Sequence, residues 1–238
     1  SIPYPEVQVA APLSSERLDL THLPAFAIDD EGNKDPDDAL SLDGKKLWVH
    51  IADVSSLIEP DSPSDLHART LATTLYLPEH TTPMLSPSVT ENSGLGLQEI
   101  SPALSFCITL DTDGSLKEAD FHLTRVKVTR LTYAQAEEKI TDSPFREIFS
   151  MTQAYRENRN KNKANFLSFP AVKIQVKDSL VSLNPLAPFK SREMVAEAMI
   201  MAGEAAANFA VEHSLPFPFT TQPAPDSNDH PETLAEMF

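Results

Sequence analysis

The feature that most constrains this chain is a run of acids wedged between two apolar segments. Residues Ala27 to Leu40 read AIDDEGNKDPDDAL, and Asp29, Asp35, Asp37 and Asp38 fall within ten positions. Before them, Pro24-Ala25-Phe26-Ala27-Ile28 reads as a short buried strand. After them, Ala39-Leu40-Ser41-Leu42 begins a second strand that turns at Asp43-Gly44. Gly32, Asn33 and Pro36 forbid a long helix between the two and suit a tight, irregular loop. The acids therefore sit in a connection on packed strands, where function concentrates, and not in a polar tail. Like charges held together repel, so some protonate or a cation neutralises them. Hard oxygen donors favour Mg²⁺ or Mn²⁺. A solvated Asp-rich turn with no ligand is the plainer alternative. A helix-loop-helix calcium site fits poorly, because the twelfth position counted from Asp29 is Leu40 where a bidentate Glu is needed.

Charge narrows the function further. With 35 acids against 19 bases the net charge is −16, which argues against a generic polyanion-binding surface built from Lys and Arg. Any nucleic-acid contact must be local, metal-assisted or supplied by a part not present here. The 238 residues, 41% apolar, can bury a substantial core as one large domain or two small ones. The single Cys107, in the strand-like run Leu104–Ile108, reads as a core residue and fits a reducing compartment. No secretory signal opens the chain and no apolar run reads as long enough to cross a bilayer. A soluble, cytoplasmic protein with no membrane partner is the expectation, an organelle such as a plastid being left open.

Along the chain, residues 1–18 read as an extended lead-in and 19–238 as a domain. Asp43-Gly44 and Asp111-Thr112-Asp113-Gly114 mark hairpins, Leu47–Ala52 a strand buried on both faces, and His50 in it a satisfied core histidine. Asp53 reads as a turn or cap. Ser62-Pro63 starts a helix running to about Thr74, with a loop through Leu85 after it. Gly94-Leu95-Gly96 has no helix behind it and is not read as a phosphate loop. Leu104–Leu110, Leu116–Phe121 and Thr124–Arg130 read as strands, residues 133–140 and 144–163 as helices, and Val172–Val176 with Leu180–Leu183 as a strand pair. The basic end of the second helix, Arg156 to Lys163, is the one basic patch of note, and the helix dipole is the plainer account of it. Ser191 reads as the cap of a long helix reaching about His213, with Gly203 and the alanines suggesting close packing. A short strand near Phe217, a proline-rich link and a helix begun at His230-Pro231-Glu232 complete the pattern.

A string of motifs then falls into place. Asp-Leu-Thr-His-Leu-Pro at 19–24, Ala-Ile-Asp at 27–29, Asp-Pro-Asp-Asp-Ala at 35–39 and His-Ile-Ala-Asp-Val-Ser at 50–55 have the order and spacing of the ribonuclease II family. The resemblance continues through Tyr76-Leu77-Pro78, Pro83-Met84-Leu85-Ser86-Pro87, Pro102-Ala103-Leu104 and Glu197-Ala198-Met199. It implies a mixed α/β (α+β) RNB-like catalytic domain, with largely antiparallel sheets packed by a long helix. The activity implied is metal-dependent 3′-to-5′ exoribonuclease action on single-stranded RNA, releasing nucleoside monophosphates. By resemblance, Asp29, Asp35, Asp37 and Asp38 are the four catalytic aspartates; Asp29, Asp35 and Asp38 would hold Mg²⁺, or Mn²⁺, and Asp37 would orient the water. Tyr76 matches an aromatic that stacks on terminal bases, and Glu197 a helix glutamate that approaches the terminal nucleotide.

The sequence departs from the family in places. The later Thr-Ser-Pro…Arg-Arg-Tyr segment, with its phosphate-clamping arginine, is not in these 238 residues, nor are the flanking oligonucleotide-binding barrels. Phe219-Thr220-Thr221-Gln222-Pro223 stands where relatives carry an Arg-Val-His run. The expectation is one part of a longer polypeptide whose remainder completes the site, the domain here being incomplete at its C-terminus. A catalytically silent RNB-derived RNA-binding or regulatory protein is the competing reading.

Overall fold

Both hairpin turns expected from Asp-Gly pairs form, and they organise the main sheet. The structure, a computed structural model, describes residues 16–162, 164, 172–177 and 180–220. In chain order the elements are β1 (Leu18–Asp19), β2 (Ala25–Asp29), β3 (Asp38–Asp43), β4 (Lys46–Ala52), α1 (Pro63–Leu71), β5 (Leu75–Tyr76), β6 (Thr81–Thr82), α2 (Pro87–Ser93), β7 (Ser101–Leu110), β8 (Leu116–Val126), β9 (Val128–Thr132), α3 (Tyr133–Glu138), α4 (Phe145–Lys161), β10 (Val172–Lys177), β11 (Leu180–Pro185) and α5 (Lys190–Glu212). Seven strands form one sheet in the order β1-β8-β7-β4-β3-β2-β9. The edge pairs β1–β8 and β2–β9 are parallel and the pairs between are antiparallel, so the sheet is mixed and largely antiparallel. Packing divides the chain into a unit over residues 1–205 and a second over 206–238.

The centre of the sheet is β4, whose Leu47, Trp48, Val49 and His50 are all buried. Trp48 belongs to a core cluster with Ala39, Leu95, Ala103 and Cys107, so the cysteine is a packing residue. His50 is a satisfied core histidine. Its Nε2 lies 2.7 Å from Ser41 Oγ and its Nδ1 2.7 Å from Ser105 Oγ, which is itself 2.6 Å from Thr124 Oγ1. This relay links β3, β4, β7 and β8 through fully buried side chains, and burial pushes the imidazole pKa down to about 4.

Several expectations shift. The extended lead-in does not run to residue 18: Leu18 and Asp19 pair with Thr124 and Arg125 of β8. Arg17 is buried beside them, its Nη2 2.6 Å from Asp53 Oδ2. The anticipated strand Thr124–Arg130 is split at Lys127: β8 continues to Val126, opposite Ser101, and β9 departs to pair with β2. Helix α2 was not anticipated, although Ser86-Pro87 repeats the Ser62-Pro63 start; both serines accept from the amide three residues on. Ser191 is not a cap but lies inside α5, donating its hydroxyl to Tyr133 O at 2.8 Å. Gly203 faces open space, so the close packing of α5 rests on Met194, Ala198, Met201, Ala202 and Ala205. By length and composition α5 is long and apolar enough to cross a membrane, contrary to expectation. Within the first unit, however, that face is buried in the fold's own core, and α5 takes ion pairs from α4: Arg156 with Glu193 and Arg159 with Glu197. In the second unit, Phe209 stacks on His213 and residues 215–220 form no strand. The link and helix expected after them, and residues 1–15, lie outside the described residues.

Two tests follow from this packing. The β7–β8 turn sits against the α4 backbone: Gly114 has φ +85°, and a Cβ there would stand 2.2 Å from Ala154 O. Gly114→Ala should therefore destabilise the fold by about 3 kcal/mol, from combined strain and overpacking. Gly44→Ala, at φ +61° in open space, should cost only about 1 kcal/mol, for backbone strain alone. Urea midpoints compare the two. His50, held neutral in the fold, carries a folded pKa below its unfolded value, so the unfolded chain binds the extra proton between about pH 6.5 and 4. Its contribution is complete above that window and is lost as pH falls through it, by about 3 kcal/mol in all. The stability difference between the wild type and His50→Gln, followed by urea unfolding across that window, should shrink accordingly.

Candidate active site

Strand geometry brings the acids together. Asp29 is the last residue of β2 and Asp38 the first of β3, so the loop carrying Asp35 and Asp37 joins two neighbouring strands at one end of the sheet. Backbone bonds from elsewhere hold that loop. Ala52 N–H donates to Asp37 O at 2.9 Å, Leu95 N–H to Pro36 O at 2.9 Å, and Arg130 Nη2 to Asn33 O at 2.5 Å. Asn33 in turn accepts from Asp35 N–H at 3.2 Å, an Asx turn within the loop. Most of these bonds engage main-chain atoms and leave the carboxylates uncompensated.

The electrostatics follow from that arrangement. Burial pushes Asp38 up to about 7, and the charges of Asp37 and Asp29 add to it. Burial also raises Asp29, opposed by a hydrogen bond from the Asn33 side chain and reinforced by Asp37 and Asp35. Asp37 is raised by desolvation and by Asp35, although it is the most solvent-open of the four. Asp38 Oδ2 is buried with no hydrogen-bond partner. Among the described residues, no three His, Cys, Asp or Glu side chains are grouped closely enough to hold an ion as they stand. The donor chemistry nonetheless suits a hard divalent cation: several carboxylates raise one another's pKa, and one buried oxygen lacks a partner.

Tyr76 is brought to the loop. Its hydroxyl donates to Asp35 Oδ2 at 2.8 Å while the residue stays 66% exposed, the ring standing free at the rim. Desolvation of the hydroxyl and its bond to Asp35 push its pKa up to about 12. Glu197 is placed differently. It is buried on α5, 2.7 Å from Arg159 Nη1, and no described contact joins it to the aspartates.

Sequence reasoning missed the residues that frame the loop. Asp29 lies opposite Thr132 in the parallel β2–β9 pair, so α3 starts beside the acids. Thr132 and Gln135 close a capping box there. The start of α5 docks on α3, with Ser191 N–H donating to Glu137 Oε2 at 2.8 Å. This sets Arg192 with its guanidinium 3.9 Å from the Tyr133 ring centroid and its Nη2 2.5 Å from Asp30 Oδ1. The capping box was legible as Thr-x-x-Gln; a contact spanning 162 positions was not. Leu95, dismissed with its flanking glycines, proves to be wholly buried and to hold the loop through Pro36.

Known proteins resemble this chain in sequence and fold. An uncharacterized ribonuclease of Synechocystis sp. is 36% identical over 233 residues, covering 92% of this chain and 35% of the relative. Ribonuclease II, chloroplastic/mitochondrial, of Arabidopsis thaliana is 29% identical over 226 residues, covering 87% and 28%. The chain thus spans about a third of the length of the curated relatives it matches. The fold matches RNase R of Mycoplasma genitalium, solved with ribose-methylated single-stranded RNA, with a TM-score of 0.81 at 22% identity over 89% of this chain and 36% of that one. It also matches yeast Ssd1, described as a pseudonuclease, with a TM-score of 0.70 at 20% identity over 88% of this chain and 28% of that one. The model of the RNB domain matches residues 17–237, which takes in the whole sheet, the aspartate loop and α5. The chain belongs to the RNB domain family, whose members here include ribonuclease II and ribonuclease R relatives.

Proposed function

We propose that this chain carries the aspartate site of a 3′-to-5′ exoribonuclease that hydrolyses single-stranded RNA to nucleoside 5′-monophosphates, with Mg²⁺ or Mn²⁺ as cofactor. The observation that carries the reading is the uncompensated charge of the loop, with Asp38 Oδ2 buried and unpartnered. Asp29, Asp35 and Asp38 would hold the cation, which when bound supplies neutralisation of these carboxylates and of the phosphate beside them. Asp37, the most open of the four, would orient a water and accept its proton. The water oxygen attacks phosphorus and the P–O3′ bond breaks. The shortened strand keeps a 3′-hydroxyl, protonated from solvent, and the released nucleotide keeps the 5′-phosphate.

Tyr76 would stack on an unpaired base, its ring exposed and its hydroxyl pinned to Asp35. Stacking of this kind accepts any base. Glu197 enters as an RNA contact through the family resemblance; its pairing with Arg159 sets the orientation from which it would act. A net charge of −16 leaves little general attraction for RNA, so the remainder of a longer polypeptide is the proposed source of basic surface. A cytoplasmic or organellar compartment suits this reading, since the relatives include a chloroplastic/mitochondrial ribonuclease.

The fold is shared with a protein described as a pseudonuclease, which makes a silent RNA-binding protein the second reading. Degradation of 5′-labelled single-stranded RNA separates the two. The longest native polypeptide of wild-type sequence should give a shrinking ladder that requires Mg²⁺ and stops in EDTA. Asp37→Asn should lose about 10³-fold in rate, as expected for removal of a proton acceptor, with RNA affinity changed by less than about twofold, since uniform binding is untouched. Binding without shortening by the longest native polypeptide would establish the silent reading instead.

A further inference from the structure

The aspartate loop has one feature that its hydrolytic reading does not use. Arg192, in the first turn of α5, reaches across to the loop and pairs with Asp30, the neighbour of Asp29, at 2.5 Å. Its guanidinium lies over the Tyr133 ring at 3.9 Å, which fixes the plane of the group from below. Ser191 anchors this segment on both sides, through Tyr133 O and Glu137 Oε2. The guanidinium is therefore held by its stacking partner and by backbone anchoring, and Asp30 is only one of its supports. The pair itself is open to water, with side-chain exposures of 33% for Arg192 and 51% for Asp30. Such pairs are worth little and exchange readily. Arg192 Nε is buried with no hydrogen-bond partner, so the fork is not saturated by Asp30. Arg130, the other arginine at the loop, is committed to the Asn33 carbonyl and shapes the backbone.

A polyanion approaching four aspartates needs a cation at the point of entry, and a planar guanidinium matches two phosphate oxygens as it matches two carboxylate oxygens. We propose that Arg192 is a substrate-phosphate contact, which leaves Asp30 for a backbone phosphate of the entering RNA while staying stacked on Tyr133. Asp30 then occupies the phosphate's place in the free protein and sets a competition that any incoming strand must win. This inference rests on the reading that the loop acts on RNA.

The test uses the full chain and a labelled single-stranded RNA oligonucleotide, with binding read by fluorescence anisotropy in EDTA over a salt series. Wild-type binding and Mg²⁺-dependent shortening of the same RNA establish the RNA reading independently of Arg192. Arg192→Gln should weaken binding about tenfold and reduce the magnitude of the log–log salt slope by about 0.7, the loss of one phosphate contact on a single strand. Arg192→Lys should keep the slope. Asp30→Asn should tighten binding by about threefold, because the competing carboxylate is gone. A wild type that binds RNA beside an Arg192→Gln variant with an unchanged slope, or an Asp30→Asn variant that fails to bind more tightly, would overturn the proposal. Should Arg192→Gln unfold, as judged by its thermal melt, Asp30→Asn alone decides.

Discussion

Desolvation of carboxylates held at the end of two paired strands, with their mutual repulsion added, is the constraint on which the rest of this molecule turns. Asp29 and Asp38 are kept close because they end and begin the neighbouring strands β2 and β3, which pair at Ala25–Ser41 and Phe26–Leu40. Asp37 is tied through its own carbonyl to Ala52 at the end of β4, and Pro36 is tied to Leu95. These bonds fix the path of the loop without satisfying its side chains. The consequence is a set of raised pKa values, highest at Asp38, whose cost the surrounding fold must offset.

The offset comes from the buried packing and polar ties of the sheet. The Ser41–His50–Ser105–Thr124 relay joins four consecutive strands with every donor and acceptor engaged. If Thr124 donates to Ala103 O at 3.3 Å, each group in the row passes one hydrogen along, and a single histidine tautomer satisfies them all. Arg17 adds a second buried polar tie: paired with Asp53 and directed at the carbonyls of Ala103 and Thr124, it locks the start of the described chain onto β7 and β8. Buried pairs of this kind contribute through specificity of position more than through net energy.

Charge is spent locally on an acidic chain. Arg156 and Arg159 join α4 to α5, Tyr155 donates to Glu204 across the same interface, and Arg130 serves the loop backbone. The basic helix end that stood out in the sequence is thus largely absorbed by packing. Arg192 differs because its partner is exposed and its ring support is independent of that partner. The same loop therefore gathers an acidic floor, an exposed aromatic at Tyr76 and one loosely paired arginine.

Much of this was legible in one dimension. Period and turn chemistry are local, so the strands around the aspartates, the Asp-Gly hairpins, the buried face of β4 and the long α5 could all be read from neighbouring residues. The acid cluster was legible for the same reason: its members lie within ten positions and the flanking strands bring the ends together. Tertiary structure alone decided what those residues meet. Splitting the run after Thr124 between β8 and β9 depends on β2 offering a parallel edge, which no local pattern encodes. The burial of Arg17, the service of Leu95 to the loop, and the arrival of Arg192 over Tyr133 each join segments dozens to more than a hundred residues apart. Sequence patterns determine which face of an element is apolar; only the assembled sheet determines which distant backbone and which charge that face is brought against.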